Sequence, residues 1–256
     1  MKKNYSIKEL RAICQKTAPD PKRESWVGLF SRIFSIYCTK IFLKTAITPN
    51  NITILSVVTF FIGIGMFFFD TTFMNILGSL IIFLSIVFDG CDGEVARFRE
   101  QKSLLGGVYT EPVSHDVQYG FAPFILGVAL YVQGYGVIFL LCGAIASITK
   151  LEYRLLDARI LQLQQLIEQK KNDAVFGESI PVIVSRSFAS TIYVIMARVN
   201  KNFLSSTGVF FVLFVCSLFH IVDYGVMFFA IGYMFFYVSL FLKHFYLIYS
   251  QKLYNK

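Results

Sequence analysis

The chain has 256 residues, of which 55% are hydrophobic and only 16% charged. A soluble domain carries about 25% charged residues and could not cover this much apolar surface, which includes 28 phenylalanines. The net charge of +8 lies in clusters between apolar runs, which excludes a nucleic-acid binder and fits the cytoplasmic loops of a membrane protein.

Residues 1–24 are polar and charged, with no apolar run of the kind a cleavable leader needs. They are read as a cytoplasmic N-terminal segment. Over residues 25–46, Trp26, Leu29, Phe30, Ile33, Tyr37 and Ile41 recur at helical spacing, with Arg32 and Lys40 off that stripe. This predicts an amphipathic helix lying at the cytoplasmic membrane interface; the plainer reading is an ordinary packed helix. Thr48-Pro49-Asn50-Asn51 then interrupts the chain and starts the next helix.

A membrane span needs roughly 20 mainly apolar residues. Apolar runs fit six spans, near residues 51–70, 74–98, 107–132, 134–150, 203–222 and 224–243. The predicted fold class is therefore all-α: a polytopic membrane protein with six transmembrane helices over residues 47–256, preceded by the interfacial helix. The fourth span is expected to continue as a helix to Lys171. A polar loop over residues 172–179 should follow, then an interfacial helix over residues 180–200. Lys and Arg are dense before the first span, absent from the first, third and fifth connections, and present in the second, the fourth and the tail. That alternation places both termini in the cytoplasm. The cysteines, Cys14, Cys38, Cys91, Cys142 and Cys216, form no Cys-x-x-Cys pair. They read as small hydrophobes rather than a disulfide framework.

The second span ends Asp89-Gly-Cys-Asp92-Gly93-Glu-Val-Ala96-Arg97. At 100° per residue, Asp89, Asp92, Gly93, Ala96 and Arg97 share one face about 140° wide. The two carboxylates repel unless a cation lies between them or one is protonated. Gly93 and Ala96 leave the face open, and Arg97 adds a fork suited to phosphate. A structural ion pair is the bland alternative, and an expensive one at membrane depth. The third span opens with Glu111 and His115, four apart and so on one face, with Asp116 turned away by a further 100°. Asp89, Asp92 and Glu111 would form an oxygen-rich set suited to Mg²⁺, Mn²⁺ or Ca²⁺ rather than zinc. Such a metal at a membrane face usually serves a phosphate substrate. His115 is a chemically reasonable base, though a lone histidine in a span also packs helices.

These residues resemble the signature of the CDP-alcohol phosphotransferases, Asp-x-x-Asp-Gly-x-x-Ala-Arg followed by Gly and two further acids. The first half matches at Asp89, Asp92, Gly93, Ala96 and Arg97. Thr48 to Thr53 is similar as well. The second half departs from the pattern. Strict spacing puts Gly106, Thr110 and Ser114 in register, whereas a one-residue insertion in the connecting loop gives Gly107, Glu111 and His115. The resemblance implies a transmembrane catalytic domain in which Asp89, Asp92 and Glu111 bind Mg²⁺ or Mn²⁺ and His115 is base, metal ligand or both. It implies that Gly93, Ala96 and Arg97 hold the donor nucleotide with Asn50 and Thr53. The implied reaction passes a phospho-alcohol group, a phosphatidyl group if the donor is CDP-diacylglycerol, to an acceptor hydroxyl and releases CMP. A homodimer in the lipid bilayer is also implied. Arg154, Arg186, Arg198 and Lys201 are candidates for acceptor selectivity, although the positive-inside rule accounts for each of them too. The divergent second half leaves two other readings: a catalytically inactive relative serving as a membrane scaffold or lipid-binding protein, and a small transporter.

Overall fold

A computed structural model describes residues 5–15, 25–100, 109–173 and 198–250. Every regular element among the described residues is helical, and a helix satisfies its own backbone polar groups, as lipid demands. In chain order they are α1 (Ile7–Cys14), α2 (Trp26–Phe42), α3 (Pro49–Gly65) with a 3-10 turn Met66–Phe69, and α4 (Thr72–Phe98). Next come α5 (Glu111–His115), a π-helical turn Asp116–Gly120, α6 (Phe121–Val132) and α7 (Val137–Asp173). A second π turn, Asn200–Leu204, leads into α8 (Ser206–Leu218) and α9 (Val222–Ser250). Hydroxyl caps begin several of them. Thr48 accepts from the Asn51 N–H ahead of Pro49, whose fixed φ and missing N–H suit a first turn. Ser25, Thr71 and Ser205 cap α2, α4 and α8 in the same way.

Among the described residues, three helices are long and apolar enough to cross a membrane: Pro49–Phe69, Thr72–Phe98 and Val222–Tyr246. α8 is apolar, but its 13 residues rise only about 20 Å. The third predicted span is a helix interrupted by the π turn at Asp116–Gly120. α7 is one unbroken helix through Asp173, so the predicted run-on from the fourth span is present. Residues 174–197, with most of the predicted loop and interfacial helix and with Arg186, lie outside the described residues.

α3 and α4 cross in close contact at Gly63 and Gly78. A Cβ on Gly63 would stand 2.8 Å from the Gly78 carbonyl, and one on Gly78 would stand 2.6 Å from that of Gly63. α6 and α7 meet alike at Gly127 and Gly143. Without a hydrophobic drive in lipid, such small-residue contacts let backbones pack. The main core collects Phe60, Ile64, Ile82, Leu126, Leu213 and Phe229 from α3, α4, α6, α8 and α9.

α2 is a helix whose apolar stripe is largely exposed, although Trp26 meets the Phe211 ring at 4.5 Å and Phe30 the Phe83 ring at 5.7 Å. Trp26, Phe30, Ile33, Tyr37 and Ile41 are exposed, while Ser31, Ser35 and Thr39 are buried along with Val27 and Ile36. The hydroxyl-bearing face lies on α4: a Cβ on Gly90 would meet the Ser35 Cβ at 3.4 Å. α1 adds an element inside the polar N-terminal segment, closed by a capping box between Ser6 and Glu9.

Candidate active site

The last turns of α4 carry the acidic motif, and α3 and α5 close on its acidic face. Thr53 of α3 donates its hydroxyl to Asp92 Oδ2 at 2.5 Å, and Asp92 is only 8% exposed. His115, the last residue of α5, places Nε2 at 3.1 and 3.0 Å from the two oxygens of Asp89. Glu111 lies one turn before His115, close enough that Asp89 and His115 both act on its charge. Asp92 in turn stands in the fields of Asp89 and Glu111. Three carboxylates and an imidazole from α4 and α5 therefore share one region. The Arg97 guanidinium lies over Gly93, with Nη1 at 3.1 Å from where a Cβ would stand. A Cβ at Gly93 would press on it and make the guanidinium give by a few tenths of an ångström.

The remaining predicted residues stand at the rim. Ala96 is half-buried on the motif face, and Asn50 is exposed in the first turn of α3, one turn ahead of Thr53. Asp116 turns away from the acids and receives Arg154 Nε at 2.7 Å. It is therefore His115 and not Asp116 that meets Asp89, and the π turn begins only at Asp116. Ser114, the residue of the strict register, is buried and bonded to the Glu111 carbonyl. Tyr119 sets its ring edge-on to the His115 ring, with centroids 5.7 Å apart. Beneath the acids, Gln118 donates to Ser56, which meets Ser85, and all three are fully buried. On the far side of His115 opens a cleft of about 220 Å³, lined by Asp116, Lys150, Arg154, Asp157 and Lys201.

Glu94 belongs to this neighbourhood, although the motif face does not contain it. Its carboxylate is 2% exposed. It accepts from Ser35 Oγ and Gln15 Nε2 at 2.6 Å each and from Thr39 Oγ1 at 2.7 Å. A signal was available. Ser31, Ser35 and Thr39 recur every fourth residue, a hydroxyl stripe that has to face a polar partner. Arg99, just past the end of α4, donates to the carbonyls of Ile47 and Thr45 and ties the α2–α3 connection to the end of α4.

Metal binding can be tested on the donors. Among the described residues no three His, Cys, Asp or Glu side chains converge on a single point fit for an ion: Asp89 is turned to His115 and Asp92 to Thr53. In chemistry the set does fit a hard divalent cation, because Asp89, Asp92 and Glu111 are oxygen donors whose charges repel one another.

The family model of the CDP-alcohol phosphatidyltransferases matches residues 46–243. The chain belongs to the CDP-alcohol phosphatidyltransferase family. Membership implies transfer of a phosphatidyl group from a CDP-alcohol to an alcohol acceptor, in the company of membrane lipid. The exposed apolar faces of Pro49–Phe69, Thr72–Phe98 and Val222–Tyr246 suit an integral membrane protein. No curated protein compared with the chain matches it.

Proposed function

We propose that this protein is an active, metal-dependent CDP-alcohol phosphotransferase whose reaction centre is formed by Asp89, Asp92, Glu111, His115 and Arg97. The observation that carries the reading is the meeting of His115 with Asp89 beside Asp92 and Glu111. It joins the intact first half of the family motif to the divergent second half.

Asp89, Asp92 and Glu111 are the residues that would hold Mg²⁺ or Mn²⁺. When bound, a divalent ion supplies charge neutralisation for the donor diphosphate. Arg97 grips a phosphate with its fork, and the open surface at Gly93 and Ala96 admits the nucleotide, with Asn50 and Thr53 at its edge. Asp89 can only accept while ionised, so His115 Nε2 carries the hydrogen between them. Nδ1 is then the ring atom left to take a proton, and Asp89 orients the ring as the carboxylate of a catalytic triad does. The acceptor hydroxyl attacks the β-phosphorus of the CDP-alcohol and a new P–O bond forms. The bond from that phosphorus to the bridging oxygen breaks, CMP leaves, and the hydroxyl proton passes to Nδ1. The acceptor reaches His115 through the adjoining cleft, where Lys150, Arg154 and Lys201 outnumber Asp116 and Asp157.

The reading includes six spans, both termini in the cytoplasm, α2 lying on the cytoplasmic membrane surface, and a homodimer. The exposed apolar stripe of α2 supports the placement of that helix, since lipid is the natural cover for it. The test is CMP release by the purified protein from CDP-diacylglycerol and soluble CDP-alcohols, with Mg²⁺ or Mn²⁺ and a panel of hydroxyl acceptors. Asp92→Asn should abolish release and weaken metal binding. Full activity in that variant would overturn the site. Nucleotide binding without turnover across the panel would favour the inactive scaffold.

A further inference from the structure

The geometry points to α1 as a strap that sets the working orientation of Arg97, with Gln15 as its positioning residue. This inference rests on the reading that Arg97 grips the donor diphosphate.

Arg97 has one guanidinium hydrogen committed: Nε donates to the carbonyl of Cys14. That carbonyl lies at the C-terminal end of α1, where it lacks an intrahelical partner and carries the negative end of the helix dipole. A guanidinium is flat and rigid, so fixing Nε fixes its plane and the direction of the terminal fork. The fork then lies across Gly93, with Nη1 and Nη2 at 3.1 and 3.5 Å from the position of a Cβ. Arg97 is exposed, so without that bond its guanidinium would spread over several rotamers.

The strap is held by contacts that otherwise have no purpose in the reaction. Gln15 Nε2 donates to Glu94 Oε1 at 2.6 Å and to the Arg32 carbonyl at 3.0 Å. It thereby joins α1 to both α4 and α2. Arg11 reaches the Ile33 carbonyl. Leu10 and Cys14 are buried with Ile36, and Tyr5 stands edge-on to Phe98. An eight-residue helix is too short to persist alone in water, so α1 and its terminal carbonyl exist as an acceptor only when docked. Glu94 and Arg97 are three apart on α4. One docking event therefore supplies a donor to the first and an acceptor to the second.

The test uses the full-length protein with Gln15→Ala and, separately, Leu10→Asp. Two quantities are measured. The first is maleimide modification of Cys14, read by peptide mass spectrometry. Cys14 is fully buried, and burial, with the Glu94 charge beside it, pushes its thiol up to about 11, so the docked strap should protect it. The second is steady-state CMP release. Both variants should raise the Cys14 modification rate and raise the donor KM on the order of tenfold, the worth of one well-directed hydrogen bond to a charged group. kcat and the acceptor KM should stay within about twofold. A general loss of folding would lower kcat or the yield of folded particle and would not single out the donor KM. Reactive Cys14 with an unchanged donor KM overturns the strap, as does persistent protection of Cys14 in both variants. If the wild-type protein releases no CMP from any CDP-alcohol, the reading of the reaction fails on its own. Direct binding of CDP to the same proteins then carries the comparison, and equal affinity with a reactive Cys14 sinks the strap.

Discussion

Replacing Glu94 with Ala removes the carboxylate on which α1, α2 and α4 converge. In the native fold it accepts three hydrogen bonds of 2.6 to 2.7 Å while 2% exposed. Hydrogen bonds to a charged group contribute about 1.5–3 kcal/mol each, but the sum of three overshoots. Ser35 Oγ already leans on the Arg32 carbonyl at 3.4 Å, and Gln15 keeps the same carbonyl at 3.0 Å. Both donors therefore have a fallback, and Thr39 keeps only the weaker sulfur of Cys91 beside it. Removing the charge also relieves its own desolvation. The net loss should be about 2–3 kcal/mol, below the ~3–5 kcal/mol seen when a buried ion pair is broken. Glu94→Gln keeps the shape and one acceptor oxygen and should lose about half as much. For a chain of this length that corresponds to a fall in melting temperature of roughly 4–12 °C for Ala and a smaller fall for Gln. The assay is a thermal scan of detergent-solubilised protein, scored by loss of the monodisperse particle. If Glu94→Ala melts within about 1 °C of wild type, or Gln melts below Ala, the three hydrogen bonds do not hold these helices together.

Other expectations are more local. His115→Gln should lower kcat by about 10²–10⁴, the usual contribution of a general base. Because Asp89 orients that ring as well as standing in the metal set, Asp89→Asn combined with it should fall short of additive in CMP-release kinetics. Thr53→Val deletes the hydroxyl that Asp92 accepts; it should slow CMP release while leaving the melting temperature lowered by only a few degrees, since one such bond contributes about 1 kcal/mol. Gly63→Val puts a side chain where a Cβ already meets the Gly78 carbonyl at 2.8 Å. It should destabilise by about 1–3 kcal/mol in the same thermal scan, and unchanged melting would mean that α3 and α4 are free to separate. With its raised pKa, Cys14 is thiol at neutral pH, and its modification should accelerate only as pH rises toward about 11.

The reading of the motif face shows how far one-dimensional pattern reaches. Spacing alone puts Asp89, Asp92, Gly93, Ala96 and Arg97 on a common face, because helical phase is a local property. The same argument puts Glu111 in phase with His115 and turns Asp116 away, which matches its pairing with Arg154. Pattern alone leaves the packed face of α2 unassigned. Its apolar stripe is the most visible feature of residues 25–46, yet the face that packs on α4 is the modest row Ser31, Ser35 and Thr39. The recurring hydroxyls within residues 25–46 announce a polar partner, but that the partner is the buried Glu94 carboxylate on another helix is not written there. The span count is likewise hard to read, since the π turn at Asp116–Gly120 and the short α8 break the rule of one long apolar run per crossing.

By itself, the sequence determined the all-helical class, the acidic face on the second span and the family to which that face belongs. Each of these depends on composition or on residues within a few helical turns of one another. Only the tertiary structure decided what those residues touch. It turned His115 onto Asp89, gave Thr53 to Asp92, closed three helices around Glu94 and held Arg97 by the carbonyl of Cys14, 83 positions earlier in the chain. The physical reason is that a hydrogen bond between distant segments is selected by the packing of whole helices. Local sequence supplies the donor and the acceptor without specifying which of them will meet.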